Sequence, residues 1–264
     1  MIDAHHHLWD TGTREYAWMD GPWADPLRGR FDAARYAAAT DAEASVVVQA
    51  VMDESETAEL LAAPVAGVVG WTDLTAPDVA ERLAALRAAG PLVGIRHQVQ
   101  DEPDPGWLTR PPVVRGIAAV GAAGLVYDLL IKPPQAAAAL DVVRRLPEVS
   151  FVLDHAGKPD IAGGRWEPWA TWITDLAALP NVTVKLSGLV TEAATDWRPA
   201  DILPYARHVL SAFGPGRVMY GSDWPVCTLA ATPEQVRALA EEALSPGDRN
   251  EVFGGTARRI YQLG

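Results

Sequence analysis

Three short stretches of this chain hold the residue types that activate water or polarise a carbonyl. The first is Ile2-Asp3-Ala4-His5-His6-His7-Leu8-Trp9. His5 and His7 are two positions apart, so at the end of a strand they share a face while His6 points the other way, toward the helices. Two imidazoles on one face can share a metal ion or donate together to one oxygen. A pair of hydrogen-bonded structural histidines is the plainer alternative, and placement at the carboxyl end of a strand argues against it. The second stretch is Asp154-His155, where one of two adjacent residues is expected to face inward. The imidazole is the better site group, with Asp154 as its orienting partner or turned against a helix. The third is Gly221-Ser222-Asp223-Trp224-Pro225. A carboxylate there can ligate a metal or act as general base for water, unless it only caps the turn.

Other residues are candidates for holding a substrate. Arg96 and His97, in Gly94-Ile95-Arg96-His97-Gln98, could grip a carboxylate or hydroxyl, or form a salt bridge at a rim. Asp128, Gln49 and Trp71 are weaker candidates of the same kind, and tryptophans such as Trp9, Trp107 and Trp224 could cover an apolar ring face. Lysine is scarce, with only Lys132, Lys158 and Lys185. Lys185 falls inside a strand, where a buried ion pair is favoured over a substrate hook or Schiff base. Ser187 lacks a Gly-x-Ser-x-Gly elbow, which disfavours a serine hydrolase. Cys227 has no activating motif and reads as a packed residue.

Eight apolar, β-branched runs are positioned to carry these groups: residues 1–6, 45–51, 65–71, 92–98, 124–131, 149–155, 182–187 and 217–221. Near-continuous apolar runs are the pattern of parallel strands buried on both faces. Amphipathic Ala/Leu/Arg-rich stretches alternate with them. Thr75-Ala76-Pro77-Asp78, Lys132-Pro133-Pro134, Pro199 and Pro233 mark helix starts. Strand and helix repeated eight times without a linker predict one α/β domain over residues 1–264, a (β/α)8 TIM barrel. An open doubly wound sheet would want a Gly-rich phosphate loop where His-His-His-Leu-Trp stands. Long segments follow strands one, four, six and seven, at the carboxyl ends where barrels place their chemistry, and predict a covered pocket on that face.

Composition narrows the partners. Of 264 residues, 49% are hydrophobic, and 22 Lys+Arg against 34 Asp+Glu give a net charge of −12. That balance excludes a generally basic surface for nucleic acid and disfavours anionic lipid, leaving a small molecule as the expected partner. No apolar run reaches the roughly 18 residues of a membrane span, and no signal peptide is expected. The single cysteine allows no internal disulfide and predicts a reducing, cytoplasmic setting. A homo-oligomer is compatible with the sequence, which selects no oligomeric state.

Taken together, Ile2-Asp3-Ala4-His5-His6-His7-Leu8-Trp9, Asp154-His155-Ala156-Gly157-Lys158-Pro159 and Gly221-Ser222-Asp223-Trp224-Pro225 resemble the amidohydrolase superfamily. They look most like its amidohydrolase 2 branch, barrel hydrolases that open sugar lactones and related carboxylated lactones. The resemblance runs from residue 2 to the last helix. It assigns His5 and His7 to the strand-one pair, His155 to the later histidine, and Asp223 to the aspartate that activates water. It also implies a mononuclear site on His5, His7, His155 and Asp223 for one divalent ion, zinc first, or metal-free polarisation by the same histidines. Two-metal relatives use a carboxylated lysine at strand four, where this chain has Arg96-His97-Gln98. A two-metal centre is therefore not expected. The same branch contains metal-dependent decarboxylases of aromatic or unsaturated acids, and a non-catalytic binding barrel is the third alternative.

Overall fold

All eight apolar runs form strands of one parallel sheet in the computed structural model, which describes residues 1–264. The strands are β1 (Ile2–His6), β2 (Ala44–Val48), β3 (Gly67–Gly70), β4 (Leu92–His97), β5 (Val126–Leu129), β6 (Phe151–Leu153), β7 (Val182–Leu186) and β8 (Val218–Tyr220). Each lies beside its neighbour in the chain. The sheet closes just beyond β8: the Asp223 amide donates to the His5 carbonyl at 2.8 Å, and the His7 amide to the Trp224 carbonyl at 2.7 Å. Buried Asp3 reinforces the seam, accepting from the Ser222 amide at 2.9 Å and hydroxyl at 2.6 Å. The result is the expected (β/α)8 barrel.

The helices are α1 (Ala33–Ala39), α2 (Glu54–Leu61), α3 (Val79–Ala89), α4 (Pro111–Ala122), α5 (Ala136–Arg145), α6 (Trp169–Ala177), α7 (Pro199–Phe213), α8 (Pro233–Ala243) and α9 (Thr256–Ile260). Their starts follow local chemistry. Asp32 and Asp53 accept amides of the first turns of α1 and α2, and Thr232 with Gln235 forms a capping box on α8 behind Pro233. No helix is long and apolar enough to cross a membrane.

The strands sort their side chains by parity. Val47, Val68, Tyr127, Leu153 and Val184 pack outward into the main core under the helices, whereas Ala4, Val46, Val48, Val69, Val126, Val152 and Met219 fill the barrel interior. Ala257, Tyr261 and Leu263 of the carboxyl-terminal segment join that interior cluster. A bulge in β1 breaks strict alternation, since Asp3 pairs with Ser45 but His6 with Val47. One extra residue there lets Ala4 and His5 both face inward and still leaves His5 and His7 on one side. His6 turns out, stacking on Tyr36 at 3.9 Å and bonding Ser45 at 3.0 Å.

Candidate active site

Above the apolar floor the barrel interior becomes charged. Arg96 from β4, Asp128 from β5, Asp154 after β6 and Lys185 from β7 are all almost fully buried. Lys185 Nζ stands 2.6 Å from Asp128 and 3.0 Å from Asp154, and Arg96 Nη1 bonds Asp154 at 2.9 Å. Tyr261 donates to Asp128 at 2.9 Å, and Arg96 is also held by Gln49 at 3.0 Å. Two cations thus offset two carboxylates in a layer that could not be buried unpaired. Burial raises the Asp128 carboxyl to about 6 against the opposing pull of Lys185. Burial acts the same way on Asp154, but Lys185, His5 and Arg96 outweigh it and hold that carboxyl well below its ordinary value.

The imidazoles stand on this layer. His7 donates Nδ1–H to the Val48 carbonyl at 2.7 Å, which leaves its Nε2 facing Asp223 Oδ1 at 3.5 Å. His5 Nδ1 faces Asp154 Oδ1 at 3.3 Å, while its Nε2 lies 3.3 Å from His7 Nε2 and 3.8 Å from Asp223 Oδ1. Burial, with Lys185 next, keeps His5 well below the usual imidazole range. Burial would raise the Asp223 carboxyl, but His155, His7 and Lys158 outweigh it and leave it below its ordinary value.

His155 reaches the same place by an unusual backbone path. His155, Ala156, Gly157 and Lys158 have φ of 52°, 50°, 69° and 54°, one left-handed turn directly after β6. Such a conformation costs non-glycine residues on the order of 1 kcal/mol each, so the surroundings must hold it. Two glycines make the room. A Cβ on Gly157 would lie 2.5 Å from Trp172, and one on Gly188 would lie 2.4 Å from His155 Nδ1. His155 Nδ1 pairs with Ser187 Oγ at 2.9 Å, its ring centre is 4.5 Å from that of His5, and burial lowers it to about 4. Asp154 and His155 therefore both turn inward, where only one of them was expected to.

A cavity of about 360 Å³ opens over these groups at the carboxyl ends of the strands. His7, Arg96, His155 and Asp223 border it. Five other candidates lie elsewhere. His97 alternates away from Arg96, accepts from Trp71 at 3.1 Å, meets Glu102 at 2.7 Å and stacks on Trp107 at 3.9 Å. Trp9 donates to the Leu27 carbonyl at 2.9 Å, Trp224 packs on Phe31 and Tyr36, and Asp128 sits below in the ion-pair layer. The walls are instead Trp18 and Trp23, Gln98 and Gln100, and the pairs Lys132–Asp101 and Lys158–Glu192. The tryptophans were visible in the long first loop, but which of them pack inward depends on the two-stranded ribbon Trp9–Asp10 with Arg30–Phe31.

The amidohydrolase family profile matches residues 2–263. The chain belongs to the amidohydrolase family. An L-fucono-1,5-lactonase of Burkholderia multivorans is 40% identical over 99% of this chain and 96% of its own length. Another L-fucono-1,5-lactonase, of Burkholderia ambifaria, is 37% identical over 99% and 95% of the two chains. A crystal structure of an amidohydrolase from Burkholderia multivorans with bound zinc superposes with a TM-score of 0.93 at 40% identity, covering 100% of this chain and 99% of that one.

The donor set of this amidohydrolase suits a divalent cation. His7 Nδ1 gives its hydrogen to a carbonyl, so its Nε2 presents a lone pair, while His5 Nδ1 lies between Lys185 Nζ at 3.1 Å and Asp154 Oδ1 at 3.3 Å and its Nε2 faces Arg96 Nη1 at 3.3 Å. His5 Nε2, His7 Nε2 and Asp223 Oδ1 converge within 3.3–3.8 Å, close enough to share one ion. One ligand atom each from His5, His155 and Asp223 lies within 4.8 Å of the others, and all three residues are buried. Asp154 behind His5 and Ser187 behind His155 orient those ligands as metal sites require. His7, the fourth residue of the expected set, adjoins this trio, its Nε2 being 3.3 Å from His5 Nε2 and 3.5 Å from Asp223 Oδ1.

Proposed function

We propose that this amidohydrolase opens the ring of a six-membered, hydroxylated sugar lactone by water attack on its carbonyl. One observation carries the reading: Asp223, His7 and His155 border a single cavity with His5 packed directly behind them, in a chain that matches L-fucono-1,5-lactonases over nearly its whole length.

Asp223, whose carboxyl lies below its ordinary value and is therefore ionised, accepts the proton of the attacking water. The lactone carbonyl points toward the imidazoles, and His7 and His155 border the space in which its oxygen gathers charge. Their Nε2 atoms stabilise that charge only when protonated or bound to a cation, and an oriented group of that kind contributes roughly 3 kcal/mol to lowering such a barrier. Asp154 holds the His5 ring in register from behind, and Arg96 fixes Asp154. When bound by His5, His155 and Asp223, a divalent ion such as Zn²⁺ supplies Lewis acidity at the carbonyl and makes water more acidic. Breaking the acyl–oxygen bond of the ring then leaves a hydroxy acid. Trp18 and Trp23 form the apolar wall for the ring. A lone, buried, unpaired Cys227 suits a reducing compartment such as the cytoplasm.

Acid release from a panel of sugar and dicarboxylate lactones, read with a pH indicator with and without a chelator, tests the reading. Turnover of a six-membered sugar lactone is expected. Carbon dioxide release from an aromatic acid, with no lactone opened, would contradict it.

A further inference from the structure

We propose that Lys158 and Glu192 form a donor–acceptor clamp on two neighbouring substrate hydroxyls, Lys158 holding the one on the carbon next to the lactone carbonyl. The inference rests on the lactonase reading and adds the residues that select a hydroxylated ring.

The left-handed turn places Lys158 there. Its four residues rise at close to three per turn, so side chains three positions apart lie on one side. His155 and Lys158 therefore border the same cavity, with Lys158 one turn from the imidazole that faces the reacting carbonyl. Glu192 comes from the other side, at the end of the short 3-10 helix Val190–Glu192 beyond β7. The Ala162 amide bonds the Glu192 carbonyl at 3.0 Å and ties the two loops together.

The pair is half-buried and only loosely engaged. Their side chains are only 19% and 26% exposed, and Nζ stands 3.6 Å from Oε1, longer than a hydrogen bond. An ammonium has three hydrogens to give and a carboxylate about four sites to receive them, so most of this capacity faces the cavity unused. A ligand that displaces water from the cavity must replace the hydrogen bonds these charged groups make to it. A diol does so with each partner, because a hydroxyl accepts from Lys158 and donates to Glu192. A metal or an anion satisfies only one of the two. Trp18 and Trp23 supply the apolar face that stacks on the ring, as sugar sites require.

The test compares kcat/KM for L-fucono-1,5-lactone with its 2-deoxy and 3-deoxy counterparts in the wild type, Lys158→Met and Glu192→Gln. A lost charge-assisted hydrogen bond is worth about 30-fold. The wild type is expected to prefer the parent lactone over the 2-deoxy compound by that factor, and Lys158→Met to bring the two within about threefold of each other. Glu192→Gln is expected to do the same for the 3-deoxy compound. A merely structural role would slow all three lactones alike, so variants that keep the wild-type ratios, whatever their absolute rates, overturn the clamp. A wild type that opens the parent lactone without preferring it over either deoxy compound also overturns the clamp and leaves the lactonase reading standing. A wild type that opens none of the three overturns both.

Discussion

Asp154 Oδ1 stands 3.3 Å from His5 Nδ1, where the apolar floor of the barrel gives way to its charged layer. The same carboxylate faces Lys185 at 3.0 Å and Arg96 at 2.9 Å, so it orients the imidazole and also balances two buried cations. Asp154→Asn is expected to lower kcat/KM for lactone hydrolysis by about 10- to 100-fold, the usual effect of removing a ligand's orienting partner. It should also cost about 3 kcal/mol in a urea unfolding experiment, because a buried positive charge loses its partner. Activity within about twofold of wild type would show that His5 needs no orienting carboxylate.

Metal content tests the four-residue set that the motifs imply. Chelator-treated protein titrated with zinc and measured by elemental analysis should take up about one ion per chain. His155→Ala and His7→Ala should each weaken that uptake, since His7 Nε2 lies 3.3 Å from His5 Nε2 and 3.5 Å from Asp223 Oδ1, and His155 joins His5 and Asp223 with donors within 4.8 Å of one another. Full zinc uptake by either variant would remove that residue from the set.

Glu56 makes stability depend on pH. Its Oε2 accepts from the Ala50 amide at 2.9 Å and the Val51 amide at 3.1 Å, while buried Oε1 has no partner. Burial raises this carboxyl from 4.5 to about 7. Below pH 4.5 both the folded and unfolded forms are protonated. Between there and about 7 the folded state keeps a proton that the unfolded state has released, so stability falls as pH rises through that window. Glu56→Gln removes the titration and keeps an acceptor for both amides. Unfolding free energies in urea should match wild type near pH 4 and exceed it at pH 8 by about 2 kcal/mol. A less stable variant at pH 8 would contradict this account.

Tyr261 anchors the carboxyl-terminal segment against the barrel floor. Its hydroxyl donates to Asp128 at 2.9 Å, and Asp128 in turn faces Lys185 at 2.6 Å. Tyr261→Phe should cost about 1.5–3 kcal/mol, the size of a buried hydrogen bond to a charged group. An unfolding free energy within about 0.5 kcal/mol of wild type would remove this link from the network.

The strands and the His5/His7 pair were legible because both depend on a period of two. Apolar β-branched runs mark strands buried on both faces, and alternation puts two histidines two positions apart on one side. Alternation could also have separated Arg96 from His97, given one inward-facing neighbour in β4 to set the phase. His155 and Lys158 were not legible as a facing pair. Both ride on a left-handed turn that three non-glycine residues adopt against their own preference, with space made by Gly188 from another strand. The tryptophans misled for a different reason. A large apolar ring in a loop can cover a substrate or bury itself, and Trp9, Trp107 and Trp224 are buried. Trp23, 52% exposed, stands at the cavity instead.

The most direct test compares wild type with Asp223→Asn for acid release from L-fucono-1,5-lactone under zinc saturation, with far-ultraviolet circular dichroism as the check on folding. The account predicts ready hydrolysis by the wild type and a folded variant whose kcat is lower by about 100-fold or more, the contribution of a positioned general base. A folded Asp223→Asn protein with near-wild-type kcat would contradict the assignment of Asp223 as the base, and with it the mechanism built on the imidazole cluster.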